Sequence, residues 1–184
     1  MAKPVYPWWL GYLLMNPLRR VTQNPEKILK PYIKENMNVI DAGSGMGFFS
    51  LPIARLVGVK GRVVCIDLQE QMIKGLTRRA AKAGLFDRIE TRICASGSLE
   101  ISDLAGEIDF FLAFGVVHEV PDSLNFMKEA HQTLKLGGCL LISEPSHHVS
   151  KDEFNNEVEI AQQTGFKVKE YLEIKGSHGV LLTA

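Results

Sequence analysis

From Met37 onward, short apolar runs alternate with longer stretches in which apolar side chains return every three or four positions. The first pattern reads as buried strand and the second as amphipathic helix. Met37 to Asp41 is a predicted strand, and Gly43-Ser44-Gly45-Met46-Gly47 a glycine-rich turn. A helix is expected from Phe48 to Val57, with Pro52 tolerated near the first turn, where amide donors lack intrahelical acceptors. A second strand covers Arg62 to Asp67, and a helix runs from Gln69 to Ala83 with Gly84 as its stop. Strands three and four fall at Ile89 to Cys94 and Ile108 to Phe114, with only a weakly periodic Ser98 to Ala105 between them. Pro121 to Lys135 is a predicted helix with a stripe of Leu124, Met127, His131 and Leu134, ended by Gly137-Gly138. Cys139 to Ser143 is a fifth strand, and Lys151 to Thr164 a polar-faced helix. Phe166 to Ile174 and His178 to Thr183 alternate like strands around Lys175-Gly176-Ser177, a hairpin signal.

Strands separated by helices imply a parallel sheet covered on both faces. The closing hairpin breaks that rule, because a tight connection forces an antiparallel pair. The expected fold is therefore α/β, a Rossmann-like three-layer sandwich with a seven-stranded, mostly parallel sheet whose last strand is antiparallel. Residues 1–36 precede this pattern as an N-terminal helical or aromatic cap segment, and residues 37–184 form the domain proper.

Composition narrows the classes. The chain carries 21 basic and 21 acidic residues among 184, so overall charge offers no argument for a nucleic-acid partner. Cys65, Cys94 and Cys139 are widely spaced without a CxxC pair, which argues against zinc and for reduced, buried thiols. His147-His148 invites a metal reading, but adjacent residues rarely converge alone and no third ligand is evident, so no metal is expected. The opening residues lack a signal peptide's apolar stretch, and no apolar run is long enough to span a membrane. A cytoplasmic location follows as an expectation.

The chemistry concentrates at the glycine turn. Open parallel sheets bind ligands beyond the carboxyl ends of their strands, and glycines there allow a sharp turn and close approach of a ligand. Dinucleotide enzymes want G-x-G-x-x-G with pyrophosphate on a helix N-terminus. Here the third glycine of that pattern would be position 48, which is Phe48, and the spacing is G-x-G-x-G after an acid, Asp41. An acid repels pyrophosphate and suits a ligand carrying an ammonium group. Asp67 ends the second strand, where a carboxylate accepts hydrogen bonds from ribose hydroxyls.

Val39-Ile40-Asp41-Ala42-Gly43-Ser44-Gly45-Met46-Gly47, Val63 to Leu68, Ile108 to Val120 and Leu134 to Pro145 together resemble the class I S-adenosylmethionine-dependent methyltransferases. The resemblance covers residues 37 to 145 and points to the small-molecule group that includes ubiquinone and menaquinone methyltransferases. It implies S-adenosyl-L-methionine as cofactor, with S-adenosyl-L-homocysteine as product. The implied cofactor residues are Asp41, Gly43, Ser44, Gly45, Gly47, Phe48, Asp67, Leu68, Ala95, Ser96, Phe114 and Gly115. Two departures stand out. Leu136 replaces the family's usual proline before the glycine pair, a change of small consequence. Ala95 stands where the family has an acid for the adenine amine, leaving the Ser96 hydroxyl, a water or packing to serve instead.

Methyl transfer asks the protein mainly to position and desolvate. A base is needed only where the acceptor must lose a proton. His118, Glu119 and Glu144 follow the fourth and fifth strands and are the candidate catalytic residues, His118 as base or acceptor-orienting group. Each also has a structural reading.

Residues 5 to 20 contain both tryptophans and two of the four tyrosines, and bases exceed acids by 6 to 2 over residues 1–36. The segment reads as a lid over cofactor and acceptor, as packing against the sheet, or as an interfacial patch with Arg19 and Arg20 that would suit a lipophilic acceptor. The leading expectation is a methyltransferase acting on a small molecule. A catalytically silent cofactor-binding module is the alternative, kept open by Ala95. A nicotinamide dehydrogenase is opposed by Phe48 and Asp41.

Overall fold

The computed structural model describes residues 19–184. The aromatic segment, residues 5–18, lies outside them. Seven strands form one sheet in the order β3-β2-β1-β4-β5-β7-β6, the Rossmann-like α/β arrangement read from the sequence. The described chain divides into two compact units, residues 19–94 and 95–184. No helix among the described residues is long and apolar enough to cross a membrane.

The first unit opens with two short helices, α1 (Arg19–Thr22) and α2 (Pro25–Leu29), the second capped by the Asn24 side chain. Strands β1 (Asn38–Ala42), β2 (Arg62–Asp67) and β3 (Ile89–Ile93) pair in parallel, Val39 beside Val63 and Val63 beside Ile89. Val39, Ile40, Val63, Val64 and Ile66 are fully buried, as continuous apolar strands of a parallel sheet should be. Helix α3 covers Ser50–Leu56, two residues shorter at its start than expected. The cause is Gly47, whose φ of 81° cannot belong to a right-handed helix, so Phe48 and Phe49 complete a turn first. Helix α4 (Glu70–Lys82) buries Met72, Ile73, Leu76 and Ala80. It ends at left-handed Gly84 (φ 66°), and Leu85 N–H bonds back to Ala80 at 2.9 Å.

In the second unit, β4 (Ile108–Phe114) and β5 (Leu134–Pro145) are parallel. Between β3 and β4 the chain makes only a short 3₁₀ turn, Ser102–Leu104. Helix α5 covers Ser123–Thr133 and buries Phe126, Met127, Ala130 and Thr133. The sequence stripe was rotated from this face. Leu124 is 39% exposed, and Leu134 already belongs to β5. The glycine pair does not separate helix from strand but forms a bulge inside β5. Leu134 pairs with Ile108, and Cys139 pairs with Phe110. Gly137 has a φ of 78°, and a Cβ on Gly138 would come within 2.9 Å of the Lys135 carbonyl oxygen. Helix α6 (Lys151–Gln163) starts with a Ser150/Glu153 capping box. The hairpin β6 (Lys167–Tyr171) and β7 (Ser177–Thr183) follows, and β7 is antiparallel to both β6 and β5.

Candidate functional site

In the first unit the structure brings Asp41, the glycine turn and Asp67 together. The turn folds back on β2, with Gly43 N–H and Ser44 N–H both donating to the Ile66 carbonyl at 2.9 Å. Asp67 fastens it from the side. Its Oδ2 accepts Gly45 N–H at 2.9 Å, and its Oδ1 accepts Gln69 N–H at 2.9 Å. Burial raises the Asp67 pKa, and the two backbone donors hold it down in part. The carboxylate thus organises the loop. Leu68, beside it, is 37% exposed.

Asp41 is only 2% exposed. Ser50, at the start of α3, donates its hydroxyl to Asp41 Oδ2 at 2.5 Å. Burial pushes the Asp41 pKa up to about 7, against the lowering by Ser50; nearby Asp67 raises it further and Arg19 lowers it. A buried carboxylate bonded to one hydroxyl, with Arg19 close enough to attract it, can accept a positive ligand group. Ser44 is also buried, and its Oγ has no hydrogen-bond partner among the described residues. A Cβ on Gly45 would meet nothing within 4 Å, so space opens beside the turn there. At Gly47 the same atom would strike Leu51 Cδ1 at 2.7 Å. Phe48 and Phe49 are buried with their rings edge to face, 5.2 Å between centroids. An orphaned buried hydroxyl, an open glycine edge and two desolvated carboxylates fit a ligand that carries hydroxyls and an ammonium.

In the second unit the candidate catalytic residues come together. His118 lies in the 3₁₀ turn Val117–Glu119, after β4. Its Nδ1–H donates to Glu144 Oε2, while Glu144 Oε1 accepts Val117 N–H at 2.8 Å. Glu144 is fully buried. It is thereby placed to fix the tautomer and ring plane of His118. Glu119 Oε1 lies 4.0 Å from His118 Nε2. The His148 ring is nearly parallel to that of His118, 6.2 Å away, and His147 packs against His148 at 4.2 Å. Among the described residues no group of three or more His, Cys, Asp or Glu side chains is placed to hold a metal. Gly115, with a φ of 69°, turns the chain after Phe114, and its N–H donates to the Ser143 carbonyl at 2.7 Å.

Ala95 and Ser96 are exposed at the start of a loop after β3. Glu129 of α5 pins this loop, accepting Ser98 Oγ–H at 2.6 Å and Leu99 N–H at 2.8 Å. Asn125 Nδ2–H adds a bond to the Gly97 carbonyl at 3.0 Å. Sequence reasoning missed Glu129, Asn125 and Ser50. Only Ser50 left a signal, a small hydroxyl on the helix that follows the glycine turn.

A family model described as a methyltransferase domain matches residues 33–176. The ubiquinone/menaquinone biosynthesis C-methyltransferase of Rickettsia felis is 29% identical over 64% of this chain and 49% of its own length. Its counterpart in Sinorhizobium fredii is 31% identical over 63% of this chain and 44% of its own length. The chain thus spans about half the length of the curated relatives it matches. A crystal structure of a SAM-dependent methyltransferase from Aquifex aeolicus superimposes with a TM-score of 0.86 at 25% identity, covering 97% of this chain and 99% of that one.

Proposed function

Because the chain belongs to the methyltransferase-domain family, we propose that it transfers a methyl group from S-adenosyl-L-methionine to a small-molecule acceptor. The observation that carries this reading is the pair of desolvated carboxylates bracketing the glycine turn, Asp41 and Asp67. Asp41 takes the ammonium of the methionine part, and Asp67 the ribose hydroxyls, with Gly43, Ser44, Gly45, Gly47, Phe48 and Leu68 lining the ligand. The cofactor supplies an activated methyl on a sulfonium. The chain's own tasks are to orient the ligand, exclude water and, where the acceptor is a weak acid, take its proton. His118 Nε2 is the base for that proton, because Glu144 occupies Nδ1 and leaves the lone pair at the other nitrogen. Glu119, 4.0 Å from Nε2, steadies the imidazolium that results.

Ala95, Ser96, Phe114 and Gly115 are assigned to the adenine and methyl ends of the ligand. With no acid at position 95, a loop held in shape by Glu129 and Asn125 meets adenine through backbone groups and packing. Residues 1–36 serve as the cap segment, and the aromatic content of residues 5–20 fits a lipophilic acceptor and contact with a membrane surface. Cys65, Cys94 and Cys139 are not joined by disulfides, in keeping with a reducing, cytoplasmic setting. The silent-module alternative rests on Ala95 alone, while the His118–Glu144 pair supports turnover.

Calorimetry with S-adenosylmethionine and S-adenosylhomocysteine, with NADH as control, tests the proposal. Micromolar binding of the two sulfur ligands and none of NADH is expected. Absence of binding by either sulfur ligand overturns the cofactor assignment.

A further inference from the structure

The cofactor reading gives partners to the ligand's ammonium and ribose but none to the carboxylate of its methionine part. A cation of the first unit stands at that end of the glycine turn. Arg19, at the start of α1, places its guanidinium carbon 4.3 Å from the centre of the Phe48 ring and 5.8 Å from that of Phe49. Phe48 directly follows the last glycine of the turn. Arg19 Nε–H donates to Gln23 Oε1 at 2.9 Å, which tethers the guanidinium beside the ring. Arg19 and Asp41 attract one another. Burial lowers the Arg19 pKa to about 10, which leaves it charged at neutral pH.

We propose that Arg19 binds the α-carboxylate of the cofactor's methionine portion, so that Arg19 and Asp41 form a two-ended clamp for a zwitterion. The assignment rests on the cofactor reading. A partly desolvated guanidinium needs a nearby anion, and Asp41 supplies one before the ligand arrives. A zwitterion brings one charge of each sign. Its ammonium pairs with Asp41 and its carboxylate with Arg19, so the local charge balance is the same before and after binding. The planar fork of arginine matches a carboxylate with two parallel hydrogen bonds, which lysine cannot reproduce. Phe48 presents a π-face that holds the fork in place without competing for its donors.

The clamp predicts selectivity for the amino-acid end of the ligand. Calorimetric Kd values are measured for wild type, Arg19→Ala, Arg19→Gln and Arg19→Lys with three probes: S-adenosylhomocysteine, decarboxylated S-adenosylmethionine and 5′-methylthioadenosine. Loss of charge-assisted bonds to a carboxylate predicts that S-adenosylhomocysteine binds roughly 10- to 100-fold more weakly to Arg19→Ala and Arg19→Gln. The two probes without a carboxylate should change less than about twofold, and Arg19→Lys should recover only part of the loss. Equal weakening of all three probes makes Arg19 a structural residue and overturns the assignment. Unchanged S-adenosylhomocysteine affinity overturns it as well. Arg19→Gln keeps a side chain of similar reach over Phe48, so it carries the comparison should Arg19→Ala fail to fold. A wild-type protein that binds none of the probes overturns the cofactor reading itself, a result distinct from either of the others.

Discussion

Replacing Asp41 by Asn tests whether the buried carboxyl keeps its raised pKa and meets a ligand's positive charge. Asn keeps the shape and still accepts the Ser50 hydroxyl, but removes the charge. In the folded protein burial moves the Asp41 pKa from 3.8 to about 7. The native state therefore holds this proton over a pH range in which the unfolded chain has lost it. Stability contributed by the protonated form is full below about pH 4 and is lost as pH rises through about 7. Three pKa units at 1.36 kcal/mol each set the total at about 4 kcal/mol. The linkage relation puts roughly two-fifths of that loss already in place at pH 5 and nearly all of it at pH 8. Urea unfolding of wild type and Asp41→Asn at both pH values isolates the effect, since titrations of groups not coupled to Asp41 cancel in the difference. The variant should gain about 2–3 kcal/mol on wild type between pH 5 and pH 8. Its affinity for S-adenosylhomocysteine should fall, and the rise in wild-type affinity as pH passes about 7 should vanish. A stability gap that stays constant between the two pH values refutes the reasoning.

Asp67→Ala removes the acceptor for Gly45 and Gln69 N–H. It should weaken S-adenosylhomocysteine binding by roughly 1.5–3 kcal/mol in calorimetry, and unchanged affinity would show that the ribose lies elsewhere. His118→Ala should lower kcat with a proton-bearing acceptor by roughly 10²- to 10⁴-fold while the cofactor Kd holds, and full turnover would remove His118 from the chemistry. Glu144→Gln should lower kcat by a smaller factor, because Gln still accepts from Val117 and from Nδ1. Gly47→Ala forces a left-handed φ of 81° on a residue with a Cβ and drives that atom to 2.7 Å from Leu51. It should cost about 2–4 kcal/mol in denaturant unfolding.

The sheet was legible because each strand is a compact apolar run bounded by turn residues, and β2 and β4 fall where the pattern put them. The misplacements have local causes. Gly47 delays α3, and Leu134 passes from helix to strand without a break because the glycine pair makes a bulge and not a stop. Asp41 and Asp67 could be picked out from spacing and charge alone. What spacing does not carry is partnership. Nothing in Glu144's position says that it lies buried under His118, and nothing in Arg19's says that it crosses Phe48. Glu129 and Asn125 act on a loop about thirty residues away in sequence, a relation fixed only when α5 docks.

The place of β7 between β5 and β6 sets an order of assembly. Strand β6 is made first, yet the only named strand it pairs with is β7. While a ribosome is still adding residues 177–183, β5 presents a bare apolar edge, and β6 has no neighbour to join. The two strands most plainly form their local hairpin and then dock on β5 as a unit, with Cys139 meeting Thr183 at one end and Pro145 meeting Ser177 at the other. Until that docking, β5 is the edge on which two nascent chains would stick together. The yield of folded protein in a cell should thus depend on how soon residues 177–183 become free to pair with β5.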